Sequence, residues 1–191
     1  NQLVFQAINP INKLIKNLNP QSDTEIFSTF FLNLDGNKTN FDELVGNLDQ
    51  INHNFSIVGL AETNIDTANK DTYRITDEYT SVYQSSSVNK HKGSGVGMYI
   101  HNKYNFTTLH NLSICNDNIE TLFVSITNLE QPTTVGVLYR PPSGSVKLFN
   151  KELRSLLLNI QTCSNTYILG DFNVNLLNLI NNSGRSCVRK R

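Results

Sequence analysis

Asp171 and Asn173 directly follow a short apolar run in the segment Tyr-Ile-Leu-Gly-Asp-Phe-Asn (167–173). Because this run ends in glycine and then offers an acid and an amide, it predicts a strand whose carboxyl end presents both side chains. Residues two apart on an extended backbone point to the same side. A carboxylate beside an amide can hold a metal-bound water or a phosphate. The alternative is that both side chains only hydrogen-bond the backbone of a turn.

Polar residues also close three other apolar segments. Asn33 lies at the end of segment 27–34, Glu62 follows segment 55–60, and Tyr139 with Arg140 ends segment 134–139. Two prolines after Arg140 make that strand end stiff. If these ends meet at one edge, they bring together two carboxylates, two amides, a phenol and a guanidinium.

Such a set of side chains favours particular chemistry. Oxygen ligands without cysteine or clustered histidine are typical of sites for Mg²⁺, Mn²⁺ or Ca²⁺ rather than zinc. An arginine and a phenol beside the ion suit the oxygens of a phosphodiester. The residue types therefore predict metal-assisted hydrolysis of a phosphate ester, and the alternative is an edge that is merely polar.

The elements that must position these residues follow from hydrophobic periodicity. Apolar spacings of three and four predict helices over 39–51 and 146–160, and each lies between two predicted strands. The chain therefore contains two strand–helix–strand units. Segments 121–126 and 134–139 predict an antiparallel hairpin, residues 64–92 a loop with short strands, and residues 96–100 an edge strand. The glycines of 93–97 precede no Lys-Ser/Thr pair and no helix, which excludes a nucleotide-binding loop.

Composition restricts the class of protein. The chain has 191 residues, of which 38% are hydrophobic and 17% charged, which fits one domain of ordinary size. Sixteen basic and sixteen acidic residues cancel, so any contact with DNA must be local rather than driven by global charge. Three widely spaced cysteines give no disulfide framework or zinc spacing. No apolar run approaches the roughly 20 residues of a membrane span. We expect an intracellular protein, in the cytoplasm, the nucleus or both, with no membrane partner.

The pattern divides the chain into three parts. Residues 1–27 are interpreted as a lead-in or linker, residues 28–180 contain the predicted strands and helices, and residues 181–191 form an unpatterned basic tail. The chain begins with Asn1 rather than Met, and its basic tail carries no core pattern. Both ends are therefore expected to be cuts through a longer reading frame.

Five segments in this order resemble a known group of proteins: Leu-Asn-Leu (32–34), Gly-Leu-Ala-Glu-Thr (59–63), Gly-Val-Gly-Met-Tyr-Ile (95–100), Val-Leu-Tyr-Arg-Pro-Pro-Ser (137–143) and Leu-Gly-Asp-Phe-Asn (169–173). Together they are similar to the endonuclease/exonuclease/phosphatase superfamily. The Tyr-Arg-Pro-Pro-Ser and Gly-Asp-Phe-Asn pair most resembles the apurinic-endonuclease-like domain of non-LTR retrotransposons. The resemblance covers roughly residues 28–180.

The resemblance implies an α/β fold, a four-layer sandwich of two mixed β-sheets flanked by helices and incomplete at the C-terminus. It implies Mg²⁺ or Mn²⁺ as cofactor, DNA as partner and a downstream reverse transcriptase domain in the full element. By position, Glu62 and Asn33 match the metal site, with Asn33 also placing the phosphate. Tyr139 matches the tyrosine that supports the phosphate or the nucleophile. Asp171 matches the aspartate that activates water, and Asn173 the amide that contacts the phosphate. Arg140, beside Tyr139, is a candidate for phosphate or DNA binding.

The chain departs from the pattern after Asp171. The family carries a further metal-site aspartate and a Ser-Asp-His motif there, whereas this sequence has no Asp, Glu or His beyond that position. We therefore expect a C-terminally truncated domain whose DNA-nicking activity is impaired. Two alternatives stay open: an inactive relic that at most binds a metal or nucleic acid, and a phosphatase or phosphodiesterase of the same superfamily.

Overall fold

The computed structural model describes residues 27–51, 53–65, 69–84, 94–160 and 165–173. The predicted basic tail and all but the last residue of the predicted lead-in lie outside these residues. The predicted domain boundary at residue 180 also lies outside them, so the division into three parts stays a prediction.

The described residues form eight strands, two α-helices and one short 3₁₀ helix at Lys70–Thr72. The elements are β1 Thr29–Asn33, α1 Lys38–Ile51, β2 Ile57–Ala61, β3 Tyr79–Gln84, β4 Val96–His101, β5 Phe106–Thr108, β6 Glu120–Ile126, β7 Thr133–Tyr139, α2 Val146–Asn159 and β8 Asn165–Asp171. Both predicted helices, the hairpin and the strands that end near the candidate site are confirmed.

The strands make two four-stranded sheets, ordered β1-β2-β4-β3 and β5-β6-β7-β8. In the first sheet β1 and β2 are parallel, with α1 as their connection, and β4 is antiparallel to β2. In the second sheet β6 and β7 are antiparallel, and β7 and β8 are parallel across α2. Each sheet is therefore mixed, and each contains one of the two predicted strand–helix–strand units.

Three apolar clusters separate four layers. The central cluster joins the inner faces of the two sheets through side chains such as Met98 and Val137. On the outer face of the first sheet, Tyr99 packs in one cluster with Phe41 of α1. On the outer face of the second sheet, the corresponding cluster includes Phe149 of α2. The predicted arrangement of two mixed sheets flanked by helices is thus confirmed for the residues that the structure describes.

The prediction that residues 96–100 form an edge strand is wrong. β4 pairs with β2 on one side and with β3 on the other, and Val96 through Ile100 are all buried. The edge strand on that side of the sheet is β3, whose residues are half-buried or exposed. Its mixed polar pattern indicated a loop with short strands, because an edge strand needs no continuous apolar run.

Neither α1 nor α2, the two α-helices that the structure describes, is long and apolar enough to cross a bilayer.

Candidate active site

The ends of four strands meet at one edge of the two-sheet core. Within the sheets, Asn33 pairs in register with Ala61, and Tyr139 pairs with Asp171. Both strand pairs are parallel, so their carboxyl ends lie on the same side of each sheet. Face-to-face packing of the sheets then brings the two pairs of ends together. The structure therefore confirms that polar residues far apart in sequence share one place.

The side chain of Asn33 joins the two sheets. Its Nδ2 donates hydrogen bonds to Glu62 Oε1 at 2.7 Å and to Asp171 Oδ2 at 3.0 Å. Its Oδ1 accepts a hydrogen bond from the backbone N–H of Asp35 at 2.9 Å, which fixes the orientation of the amide. One nitrogen thus holds two carboxylates that come from different sheets.

Glu62 is half-buried and lies just beyond β2 with a left-handed backbone, φ 50°. A non-glycine residue keeps this conformation only where its surroundings hold it. Its carbonyl accepts a hydrogen bond from Gly36 N–H at 2.8 Å, and its side chain is hydrogen-bonded to Tyr139. Burial, followed by this hydrogen bond to Glu62, raises the pKa of the Tyr139 phenol above its usual range. At neutral pH the phenol is therefore protonated and donates to the carboxylate.

The turn after β8 is fixed by its own side chains. Asp171 Oδ1 accepts the N–H of Asn173 at 3.0 Å, and Asn173 Nδ2 donates to the carbonyl of Arg140 at 2.9 Å. Asn173 itself has a left-handed backbone, φ 45°, and an exposed side chain. Asp171 and Asn173 thus hydrogen-bond backbone groups of the turns, as the alternative of a structural role predicts. Through Asn33 the same Asp171 carboxylate is also linked to Glu62. The predicted binding of a metal-bound water or a phosphate by Asp171 and Asn173 stays a prediction.

Arg140 is buried, with 4% of its surface exposed. Its guanidinium donates to the carbonyls of Phe172 at 2.7 Å, Gly144 at 2.6 Å and Pro141 at 3.2 Å, and also to the carbonyl of Asn173. These contacts make Arg140 a clamp between the turn after β7 and the turn after β8. Its predicted contact with phosphate or DNA stays a prediction.

Sequence reasoning missed Glu120, which is only 3% exposed and pairs in register with Tyr139. Its Oε2 accepts the N–H of Gly95 at 2.7 Å, and its carboxyl group is hydrogen-bonded to Cys115. Burial is the main reason that its pKa rises to about 7, and the nearby charge of Glu62 adds to that rise. The signal was available: extending the predicted hairpin by one residue pairs this acid with Tyr139.

The residues present fit a hard divalent cation in part. Within the described ranges no group of three His, Cys, Asp or Glu side chains is placed to hold a metal. Two carboxylates bridged by an amide nevertheless supply oxygen donors of the kind Mg²⁺ takes, and Mg²⁺ commonly uses one or two protein carboxylates. The amide of Asn33 presents its nitrogen to the carboxylates, so its assignment as a metal ligand stays a prediction.

Comparisons with known proteins bear on the fold. The sequence matches no protein-family model, and no curated protein sequence matches it either. Solved structures do match. The endonuclease domain of TRAS1, a telomere-specific non-LTR retrotransposon, has a TM-score of 0.57 at 12% identity, covering 78% of this chain and 60% of that domain. This chain therefore spans less than two thirds of the TRAS1 domain.

Two further structures agree. TDP2 from D. rerio, solved with a single-strand DNA product, has a TM-score of 0.55 at 15% identity, covering 81% of this chain and 64% of that one. An endonuclease/exonuclease/phosphatase family protein from Leptotrichia buccalis has a TM-score of 0.55 at 13% identity, covering 82% of this chain and 71% of that one. Identities this low establish architecture alone. The chain has the fold of the endonuclease/exonuclease/phosphatase proteins.

Proposed function

We propose that this chain is a divalent-metal-dependent phosphodiester hydrolase that nicks DNA. The observation that carries the proposal is the amide of Asn33, which holds the carboxylates of Glu62 and Asp171 together across two sheets. Hydrogen bonds to two acids that lie 109 positions apart in sequence are more than an amide requires to close the turn after β1. An arrangement that keeps two acids close is typical of hydrolytic sites.

Each side chain has a definite task in this proposal. Asp171 takes the proton from the attacking water, since N–H donors from Asn33 and Asn173 fix the orientation of its carboxylate. Tyr139 donates its single O–H hydrogen bond to Glu62 when no substrate is bound and would turn it toward the phosphate, where it stabilises the negative charge that develops. Asn173 has an exposed side chain at the end of the turn, from which it contacts a phosphate oxygen.

Glu62 would hold the metal, with Asn33 beside it. Mg²⁺ or Mn²⁺ bound there would act as a Lewis acid toward a phosphoryl oxygen. Asn33 fixes the orientation of the two carboxylates by donating one hydrogen bond to each.

DNA is the proposed substrate because the Tyr-Arg-Pro-Pro-Ser and Gly-Asp-Phe-Asn motifs are similar to those of retrotransposon endonucleases, and the fold agrees with that of the TRAS1 endonuclease domain. In this proposal the domain acts inside the cell, in the cytoplasm or nucleus, with a reverse transcriptase domain of the same element as its partner. The zero net charge confines DNA contacts to the vicinity of the site.

A second candidate is binding of a metal or nucleic acid without hydrolysis. It is favoured by the position of His53, whose imidazole is hydrogen-bonded to Ser28. Ser28 precedes β1, whereas Asn33 ends it, so the backbone of Ser28, the hydrogen-bond partner of His53, lies roughly 16 Å from that of Asn33 at 3.3 Å per residue. This imidazole cannot serve as the acid or base of the proposed reaction.

Hydrolysis of bis(p-nitrophenyl) phosphate against p-nitrophenyl phosphate, with Mg²⁺ and with Mn²⁺, tests the class of reaction. The proposal expects turnover of the diester that exceeds turnover of the monoester and that Glu62→Gln abolishes. Glu43→Gln, on the exposed face of α1, is the matched control and should keep the activity. Preferential turnover of the monoester would indicate a phosphatase instead, and no turnover by folded protein would favour the binding role.

A further inference from the structure

Glu120 makes a buried connection between the two sheets. It begins β6 of the second sheet, yet its carboxylate accepts the N–H of Gly95, which directly precedes β4 of the first sheet. The distance is 2.7 Å and the residue is 3% exposed. A buried carboxylate without partners is strongly unfavourable, and here the partners are a backbone amide and the thiol of Cys115.

Residues 94–95, whose backbone is bound by Glu120, also bind the loop after Glu62. The carbonyl of Gly95 accepts the N–H of Thr63 at 3.1 Å, and the carbonyl of Ser94 accepts the N–H of Asn64 at 2.8 Å. Gly95 has a φ of 97°, which glycine tolerates. A continuous set of hydrogen bonds therefore runs from the second sheet through residues 94–95 to the loop.

This loop needs such support because of its conformation. Glu62 has a φ of 50° and Asn64 a φ of 51°, so two non-glycine residues in three are left-handed. Each such residue is unfavourable on its own and persists where neighbouring contacts fix it. The direction of the Glu62 side chain depends directly on this backbone.

We infer that Glu120 is a positioning residue, which fixes the Gly95 amide and thereby holds the Glu62 loop in the conformation that directs its carboxylate toward Asn33 and Tyr139. No hydrogen bond described above joins Glu120 to Glu62 or Asp171, the two acids that Asn33 bridges. The hydrogen bonds that connect Glu120 to the Glu62 loop run through the backbone of residues 94–95 and 63–64. The inference deepens the proposed function, since it names what supports the metal-site glutamate.

Amide hydrogen exchange followed by NMR tests this without any substrate. Glu120→Leu removes the acceptor at nearly constant size, and we expect the Thr63 and Asn64 amides to exchange about tenfold faster, measured relative to amides within α1. Glu120→Gln retains a carbonyl oxygen for the Gly95 amide and should restore exchange to within about twofold of the native rate. Taking α1 as the reference separates loosening of the loop from general loss of stability.

Glu152→Leu is the matched control, because it removes a carboxylate that accepts a hydrogen bond from Asn116 and, among the described residues, makes no hydrogen bond to residues 94–95. It should leave the Thr63 and Asn64 amides unchanged relative to α1. If Glu120→Leu does not fold, Glu120→Asp takes its place: it keeps the charge, falls short of Gly95 by one methylene, and should accelerate the same two amides. Native exchange at these amides in the folded Glu120 variant, or equal acceleration in Glu152→Leu, would overturn the inference.

A second measurement distinguishes failure of this inference from failure of the proposed function. Binding of Mn²⁺, measured by electron paramagnetic resonance, should weaken in Glu120→Leu and recover in Glu120→Gln. Native protein that binds no Mn²⁺ would refute the proposed metal site, while the exchange rates of Thr63 and Asn64 would still decide the role of Glu120.

Discussion

Replacing Arg140 tests whether its guanidinium holds the two turns that carry the site. The side chain is 4% exposed, and its four described hydrogen bonds all go to backbone carbonyls, two of them on the turn after β8 and two on the turn after β7. Five N–H donors in a planar fork suit this arrangement, whereas a lysine offers three donors from one point.

Arg140→Met keeps an apolar stem and removes the donors. Residues 172 and 173 are exposed and residue 144 is half-buried, so their carbonyls can regain water. Each lost hydrogen bond is therefore counted at the value of a neutral one, about 1 kcal/mol, rather than the about 1.5–3 kcal/mol of one with a charged donor. Four such bonds predict that the free energy of unfolding falls by about 4 kcal/mol. Arg140→Lys should lose about half as much.

Urea unfolding followed by far-ultraviolet circular dichroism measures these differences. The matched control is Arg74→Met, since that side chain is 71% exposed and pairs with Asp77, which is 93% exposed. Such a surface pair contributes little, and the control should change the free energy of unfolding by less than about 0.5 kcal/mol. If Arg140→Met lost no more than Arg74→Met, the clamp would be refuted. Native stability in Arg140→Lys would show that charge alone, rather than the planar fork, is sufficient.

Three further changes have definite expected results. Burial raises the pKa of Glu120 from 4.5 to about 7, so between these values the unfolded chain releases a proton that the folded chain keeps. The free energy of unfolding should therefore fall by about 3 kcal/mol as pH rises through this window, and urea titrations of Glu120→Gln should lack that slope. Gly170→Ala would place its Cβ 2.2 Å from the carbonyl oxygen of Leu138, so calorimetry should find a loss of about 1–3 kcal/mol. Tyr139→Phe removes the hydrogen bond to Glu62. The free energy of unfolding in urea should fall by about 1 kcal/mol, and phosphodiester turnover should fall as well.

The layered fold was predictable because its signals are local. Apolar spacing marked both helices, and short apolar runs marked β1, β2, β7 and β8. Helix connections between strands then required parallel pairing. Parallel pairing placed Asn33 and Glu62 at one strand-end edge and Tyr139 and Asp171 at another. That these edges meet was only a condition at the level of sequence, and the hydrogen bonds of Asn33 show that they do.

What the sequence did not reveal depends on contacts between distant segments. The inner position of β4 follows from pairing with β3, whose polar residues gave no clear strand pattern. The burial of Glu120 and Arg140 follows from partners that lie on other elements. A charged residue read alone indicates an exposed position, so neither burial could be inferred from residue type. The direction of the Asn33 amide likewise depends on Asp35, whose N–H fixes it.

Nicking of supercoiled plasmid tests the central claim most directly. The purified chain should be assayed with Mg²⁺ and with Mn²⁺ beside Glu62→Ala and Asp171→Ala, and folding of all three proteins should be verified by circular dichroism. The account predicts metal-dependent conversion of supercoiled to open-circular DNA by the native chain, abolished by either substitution. Absence of nicking from folded native protein, or nicking that survives both substitutions, would contradict it.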